Sequence, residues 1–382
     1  MASRARRKPE RFALKDATRI VIKVGSSLLV QQESGRLNRK WLASLAGEVA
    51  RLRARGQQVV LVSSGAIALG RRYLGLRPDQ RQLEEKQAAA AAGQVILAHA
   101  YQELLGKRDI KVAQVLLTLD DTENRQRYLN ARNTLQTLLA LGAVPVINEN
   151  DTVATAEIRY GDNDRLGARV AEMISGDCLV LLSDVDGLYD ANPRVNPAAQ
   201  LIAEVEEVTP EIEALAGSPG SEFGSGGMVT KLVAARIALS AGCTTVIADG
   251  RRLKPLRAIE AGKPCTWFRP RRTPLAARKQ WIAGTLKPRG ELTIDAGAEK
   301  ALKAGRSLLP VGVLAVSGNF SRGDAVSVVS RDGRDLARGL TVYGIDEARR
   351  ILGRKSEEIE SVLGYREGDE LIHRDDLVVL GG

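Results

Sequence analysis

Six short apolar, β-branched runs recur along the first two thirds of the chain. They are "RIVIKV" at 19–24, "QVVLVS" at 58–63, "VAQVLL" at 112–117, "AVPVIN" at 143–148, "CLVLLS" at 178–183 and "TTVIAD" at 244–249. Each is hydrophobic almost without interruption, the pattern of a strand covered on both faces of a parallel sheet. Helical patterns fill the intervals, around residues 40–55, 84–106, 125–141, 163–175 and 230–241. This alternation predicts a doubly covered α/β domain. Near residue 270 the pattern changes. "RPRRTPLAARKQW" is basic and Pro-containing and reads as a linker. Beyond it "ELTID", "VGVLAV", "DAVSVVS" and "LARGLTVYG", broken by Gly, Asn and Asp turns, predict a small, mostly β module.

The strand ends carry the chemistry. The first strand runs into Gly25-Ser26-Ser27 and the second into Ser64-Gly65-Ala66. "VPVIN" runs into Glu149-Asn150-Asp151, and "LVLLS" into Asp184-Val185-Asp186-Gly187. Small, amide-bearing and acidic residues thus gather where parallel strands finish, the edge at which open α/β sheets bind ligands.

Composition narrows the reading. The 382 residues, 44% hydrophobic and 27% charged, fit a soluble chain of two or three domains. The longest apolar runs are short and Ala-rich, which argues against a membrane span. The basic start, residues 1–16, lacks the apolar core of a secretion signal and is expected to be a disordered tail. Cys178, Cys243 and Cys265 are too far apart for a disulfide framework or zinc site, so a reducing cytoplasm is the expected compartment. The net charge of +10 invites a nucleic-acid reading. Yet residues 271–382 hold nineteen basic and sixteen acidic side chains, which is no concentrated basic stripe. With only His99 and His373, a Ser-His-Asp hydrolase or His-rich metal site is hard to build.

Lys, Asp, Asn and backbone amides remain, and phosphoryl transfer needs little more than positioning and charge neutralisation. Lys23 lies at the end of the first strand, followed by Gly25, whose missing side chain lets a phosphate approach the backbone. Lys231 opens a helix after the glycine run "GSGGMVTK", where free amides favour anions. It trails Gly227 by four residues, so this is not the G-x-x-x-x-G-K-[ST] loop. Asp151, Asp162, Asn163 and Asp164 fall within fourteen residues. One of them could be a helix N-cap, but the run exceeds what a cap needs. Asp164 could hold both lysines, and Asn163 and Asp151 could bind a substrate's ammonium and carboxylate.

"VIKVGSS", "VSSGAIALG", "PVINENDTVATAEIRYGDNDRLGA", "LLSDVDGLYDANP" and "GSGGMVTKLVAA" follow one another at spacings that resemble the glutamate 5-kinases, a branch of the amino acid kinase family. "TPLAARKQWI", "GRSLLPVGVLAVSGNFSRGDAV" and "EEIESVLGYREGDELIHRDDLV" resemble the PUA domain that those enzymes carry. The resemblance spans residues 17 to 380 and implies a three-layer αβα sandwich with a mainly parallel sheet, plus a small mostly-β PUA barrel. The expected organisation is a tail at 1–16, a catalytic domain at 17–268, a linker at 269–282 and the PUA-like domain at 283–382. The activity implied is ATP-dependent phosphorylation of glutamate on its γ-carboxylate, the first step of proline synthesis, with Mg2+ on the ATP phosphates.

Residue by residue, the resemblance implies that Lys23 and Lys231 stabilise the transferring phosphoryl group and Asp164 organises them. Ser64, Asp151, Asn163 and neighbouring Asn148 would bind glutamate. Gly25, Ser183, Asp184 and the stretch Ser225, Gly226, Gly227, Met228, Val229, Thr230 and Lys231 would line the nucleotide site. Val229 stands where the family has a hydroxyl residue, and Asp186 where a basic or neutral one is usual. Feedback inhibition by proline and a homo-oligomer, dimer or tetramer, are further expectations. The alternatives are another acceptor within the amino acid kinase family, or an RNA-binding protein acting through the PUA-like module.

Overall fold

The computed structural model describes residues 12–77, 82–153, 162–193, 195–217, 227–284 and 287–380. They form two compact units. One reaches to Thr273, and the other runs from Pro274 and also takes Asn124–Leu129.

The first unit is built on an eight-stranded sheet. Its strands are β1 (Arg19–Val24), β2 (Gln58–Ser63), β3 (Val112–Leu117), β4 (Val144–Glu149), β5 (Cys178–Ser183), β6 (Glu204–Val205), β7 (Thr244–Asp249) and β8 (Cys265–Phe268). The order is β3-β4-β2-β1-β5-β7-β8-β6. Every pairing is parallel except β7 with β8. The central strands are buried on both faces, as continuous hydrophobicity requires: Ile20, Val21, Ile22 and Val24 have no exposed surface. Each such side chain contributes roughly 1.5–3 kcal/mol.

Alternation along β1 creates the layers. Ile20, Ile22 and Val24 share a core with Trp41, Leu42 and Leu45 of the Arg39–Ala54 helix and with Leu97 and Tyr101 of the Leu83–Gly106 helix. Lys23 therefore faces the other way. There it lies against the Asp162–Met173 helix, where a Cβ added to Gly167 would stand 3.6 Å from Lys23 Cβ. Helices on both faces make this a three-layer αβα sandwich. Two helices on the first face cross at unusually short range. A Cβ on Gly93 would fall 1.7 Å from the Ala66 carbonyl oxygen, and one on Gly70 1.7 Å from that of Ala89. Only glycine fits at this crossing.

One expectation needs correction. β3 is not covered on both faces: it is one of the sheet's two edge strands, and Gln114 and Leu116 are exposed. The helix Pro274–Gly284 belongs to the second unit, with Ile282 fully buried. Leu14 is buried within a short 3-10 turn at Leu14–Asp16, and Gln57 Nε2 donates to the carbonyls of Leu14 and Ala17 at 3.0 and 2.7 Å. Residues 1–11 lie outside the described residues.

The second unit holds a mixed five-stranded sheet of β9 (Gly290–Ile294), β10 (Val313–Gly318), β11 (Ala325–Ser330), β12 (Asp335–Leu340) and β13 (Leu377–Val379), ordered β10-β9-β11-β12-β13. Leu292, Val326, Val328, Ala337, Ile351 and Ile372 form its core.

Candidate active site

The C-terminal ends of the parallel strands bring the sequence signals together. Asp164 is the third residue of the Asp162–Met173 helix, which lies over the face to which Lys23 points. Its carboxylate takes Lys23 Nζ on Oδ1 at 2.6 Å and Lys231 Nζ on Oδ2 at 3.2 Å. Lys231 comes from the first turn of the Met228–Ser240 helix, and its ammonium also donates to the Gly227 carbonyl at 3.0 Å. Lys23, Asp164 and Lys231 are 7%, 1% and 6% exposed, so almost no water shares in their neutralisation.

Charge explains the titration of this triad. Burial alone would push the Asp164 carboxyl up, but the charges of Lys23 and Lys231 and hydrogen bonds from Lys23 and Thr230 outweigh it. Asp164 stays below the ordinary carboxylate range. Lys231 is shifted down, first by burial and then by Lys23, with Asp164 opposing. Two ammoniums on one carboxylate leave a net positive charge in a nearly dry pocket. Such a pocket is suited to an anion.

A chain of amides adjoins the triad. Asn163, next to Asp164 on the helix, donates from Nδ2 to Ser64 Oγ at 2.8 Å and to Asn148 Oδ1 at 3.0 Å. Asn148 Nδ2 donates to Gln94 Oε1 at 2.8 Å. Ser64 follows β2, Asn148 lies in β4 and Gln94 projects from the Leu83–Gly106 helix. Asp151 is buried in the turn after β4. The expected substrate group of Ser64, Asn148 and Asn163 is therefore one hydrogen-bonded cluster.

At the neighbouring strand end Ser183 Oγ donates to Asp184 Oδ1 at 3.0 Å, and Tyr189 Oη donates to Asp186 Oδ2 at 3.1 Å. Gly25 opens a four-residue helix, Ser26–Leu29, and its amide donates to the Leu182 carbonyl at 3.3 Å. Gly227, Met228 and Val229 lead into Lys231 at the start of the Met228–Ser240 helix. Ser225, Gly226 and the side chain of Asp162 lie outside the described residues. The Thr230 hydroxyl donates to Asp164 Oδ2 at 2.9 Å, with the Gly227 carbonyl 3.2 Å away as a second acceptor. It buttresses the triad's carboxylate. The sequence reading named Thr230 without its bond to Asp164, and it did not name Gln94. Gln94 carries one local signal, an amide set directly between the Ala88–Gly93 run and the apolar Val95–Leu97.

Family models and known proteins match most of the chain. The amino acid kinase family model matches residues 18–249, and the PUA domain model matches residues 290–363. A glutamate 5-kinase of Paramagnetospirillum magneticum is 64% identical over 96% of this chain and 98% of its own. Those of Agrobacterium fabrum and Dinoroseobacter shibae are 57% and 59% identical, over 95% and 94% of this chain and 93% and 98% of theirs. The crystal structure of UMP kinase from Bacillus anthracis aligns with 67% of this chain and 98% of its own, at 15% identity and a TM-score of 0.46. The two family matches, the near full-length identity and the lysine–aspartate–lysine triad lead to one conclusion: the chain belongs to the amino acid kinase family, in its glutamate 5-kinase branch.

Proposed function

We propose that the protein transfers the γ-phosphoryl group of ATP to the γ-carboxylate of L-glutamate, forming L-glutamyl 5-phosphate and ADP, the first step of proline biosynthesis. The observation that carries the reading is the shared carboxylate of Asp164, which holds two lysine ammoniums at 2.6 and 3.2 Å beside the Ser64–Asn163–Asn148 cluster. A carboxylate acceptor, which ordinarily titrates near pH ~4.3, is already a nucleophile at neutral pH. No general base is required. The barrier lies in bringing two anions together, and Lys23 and Lys231 address it.

In the reaction a γ-carboxylate oxygen attacks the γ-phosphorus. The bond from that phosphorus to the β,γ-bridging oxygen breaks, and ADP leaves with the electron pair. Lys23 and Lys231 stabilise the charge spread over the equatorial oxygens. Asp164 fixes both ammoniums in place, Thr230 steadies Asp164, and Asn163, Ser64, Asn148 and Asp151 orient glutamate. Gly25, Ser183, Asp184 and the stretch ending at Lys231 hold the nucleotide. Magnesium, which dehydrates reluctantly, would enter with ATP and would offset the charge of the phosphates. Among the described residues no group of three or more His, Cys, Asp or Glu side chains is arranged to hold an ion. Proline, which also carries an α-carboxylate beside a protonated α-nitrogen, would compete at the glutamate site.

The test is an acceptor screen with ATP and magnesium in which hydroxylamine traps acyl phosphates. Hydroxamate from glutamate, and not from acetylglutamate or aspartate, is the expected result; an enzyme indifferent to glutamate would overturn the reading. Loss of rate at millimolar proline is expected in the same assay.

A further inference from the structure

The amide chain has two open ends of opposite character. Gln94 Oε1 accepts from Asn148 Nδ2, and Asn148 Oδ1 and Ser64 Oγ both accept from Asn163 Nδ2. Each amide thereby dictates the orientation of the next. What remains is a buried donor at one end, Gln94 Nε2, and a buried acceptor at the other, Asn163 Oδ1. Neither atom has a hydrogen-bond partner among the described residues. Gln94 is 9% exposed and Asn148 3%. Leaving a buried polar group unpaired is costly, and two such ends in one connected network mark a place where a ligand completes the bonding.

The open ends match an α-amino acid in polarity: an ammonium suits the acceptor and a carboxylate suits the donor. Backbone placement supports an anion near Gln94. The Gly70–Gly93 crossing brings the Leu83–Gly106 helix against the Ala66–Tyr73 helix at its first residue, one position before Gln94. That second helix starts just after Ser64, and Gly65 at its N-cap, with φ +102°, supplies no side-chain cap. Amides at a helix start favour an anion.

We propose that Gln94 is a specificity-determining residue of the acceptor site. Its carboxamide oxygen holds Asn148, and through it Asn163, in one orientation, while its N–H receives the α-carboxylate of the acceptor amino acid. This rests on the functional reading above and adds a contact on the opposite end of the substrate from the transferred phosphoryl group.

Two variants separate the two halves of the carboxamide. Gln94→Leu removes both the acceptor and the donor. Gln94→Glu keeps an acceptor for Asn148 but replaces the donor with a negative charge. Both should raise the KM for glutamate, by roughly tenfold to a hundredfold for Gln94→Leu and by at least as much for Gln94→Glu. The KM for ATP should stay within about twofold of wild type. A Gln94→Glu enzyme with wild-type KM for glutamate would show that the N–H contacts no carboxylate, overturning the inference. A parallel rise in both KM values would mark a merely structural residue, with the same consequence. Wild-type enzyme inactive on glutamate would strike the functional reading and this inference together. An active wild type with indifferent variants strikes this inference alone.

Discussion

Replacing Asp164 by asparagine keeps its shape and removes the one negative charge between two buried ammoniums. At the observed separations of 2.6 and 3.2 Å, each attraction amounts to about 5–6 kcal/mol at an effective dielectric near 20. Desolvation of the three groups offsets much of this. The measurable loss on breaking a buried pair by removing one partner is about 3–5 kcal/mol, because a charge is left stranded. With about 2–4 °C per kcal/mol for a unit of this size, Asp164→Asn should lower the unfolding temperature of the first unit by roughly 6–20 °C. The decisive comparison is Asp164→Asn/Lys231→Met, which also deletes a stranded cation. If the triad is a charge cluster, the double variant is more stable than Asp164→Asn alone. Thermal unfolding followed by circular dichroism at low salt reads both. Equal stability of Asp164→Asn and wild type, or a double variant weaker than the single one, would refute the electrostatic account.

Three further outcomes follow from the same geometry. Lys231 acts as an ammonium, and burial holds it below the ordinary lysine value of 10.5, so kcat/KM should fall as pH rises through that lowered value. A profile flat up to pH 10.5 would contradict this, and Lys231→Arg should remove the alkaline limb whatever its rate. Gly93→Ala places a methyl 1.7 Å from the Ala66 carbonyl, and should cost about 1–3 kcal/mol or more in denaturant titrations and raise the KM for glutamate by displacing Gln94. In the second unit Tyr343 is fully buried; its hydroxyl donates to the Gly368 carbonyl at 2.7 Å and accepts from the amides of Glu367 and Gly368 at 3.1 Å. Tyr343→Phe should destabilise that unit by about 1–3 kcal/mol with turnover unchanged; an unaltered transition would show these bonds to be replaceable by water.

Local pattern determined much of the molecule. Strands at 19–24, 58–63, 112–117, 178–183 and 244–249 coincide with their hydrophobic runs. Burial on both faces leaves nearly every side chain apolar, so such a run announces its own limits. Glycine and amide clusters marked the strand ends, and Lys23, Asp164 and Lys231 each stood out where a helix or strand meets a turn. The pattern did not reveal that β3 would be an outer strand, since a run records its own hydrophobicity and not its neighbours. It did not assign the Thr230 hydroxyl to Asp164, nor join Gln94 to Asn148 across 54 residues of chain. Those relations depend on strand order and on how closely two helices cross. Both are settled only when the whole sheet and the Gly70–Gly93 contact have formed, because contacts between distant segments leave no periodic trace in the sequence.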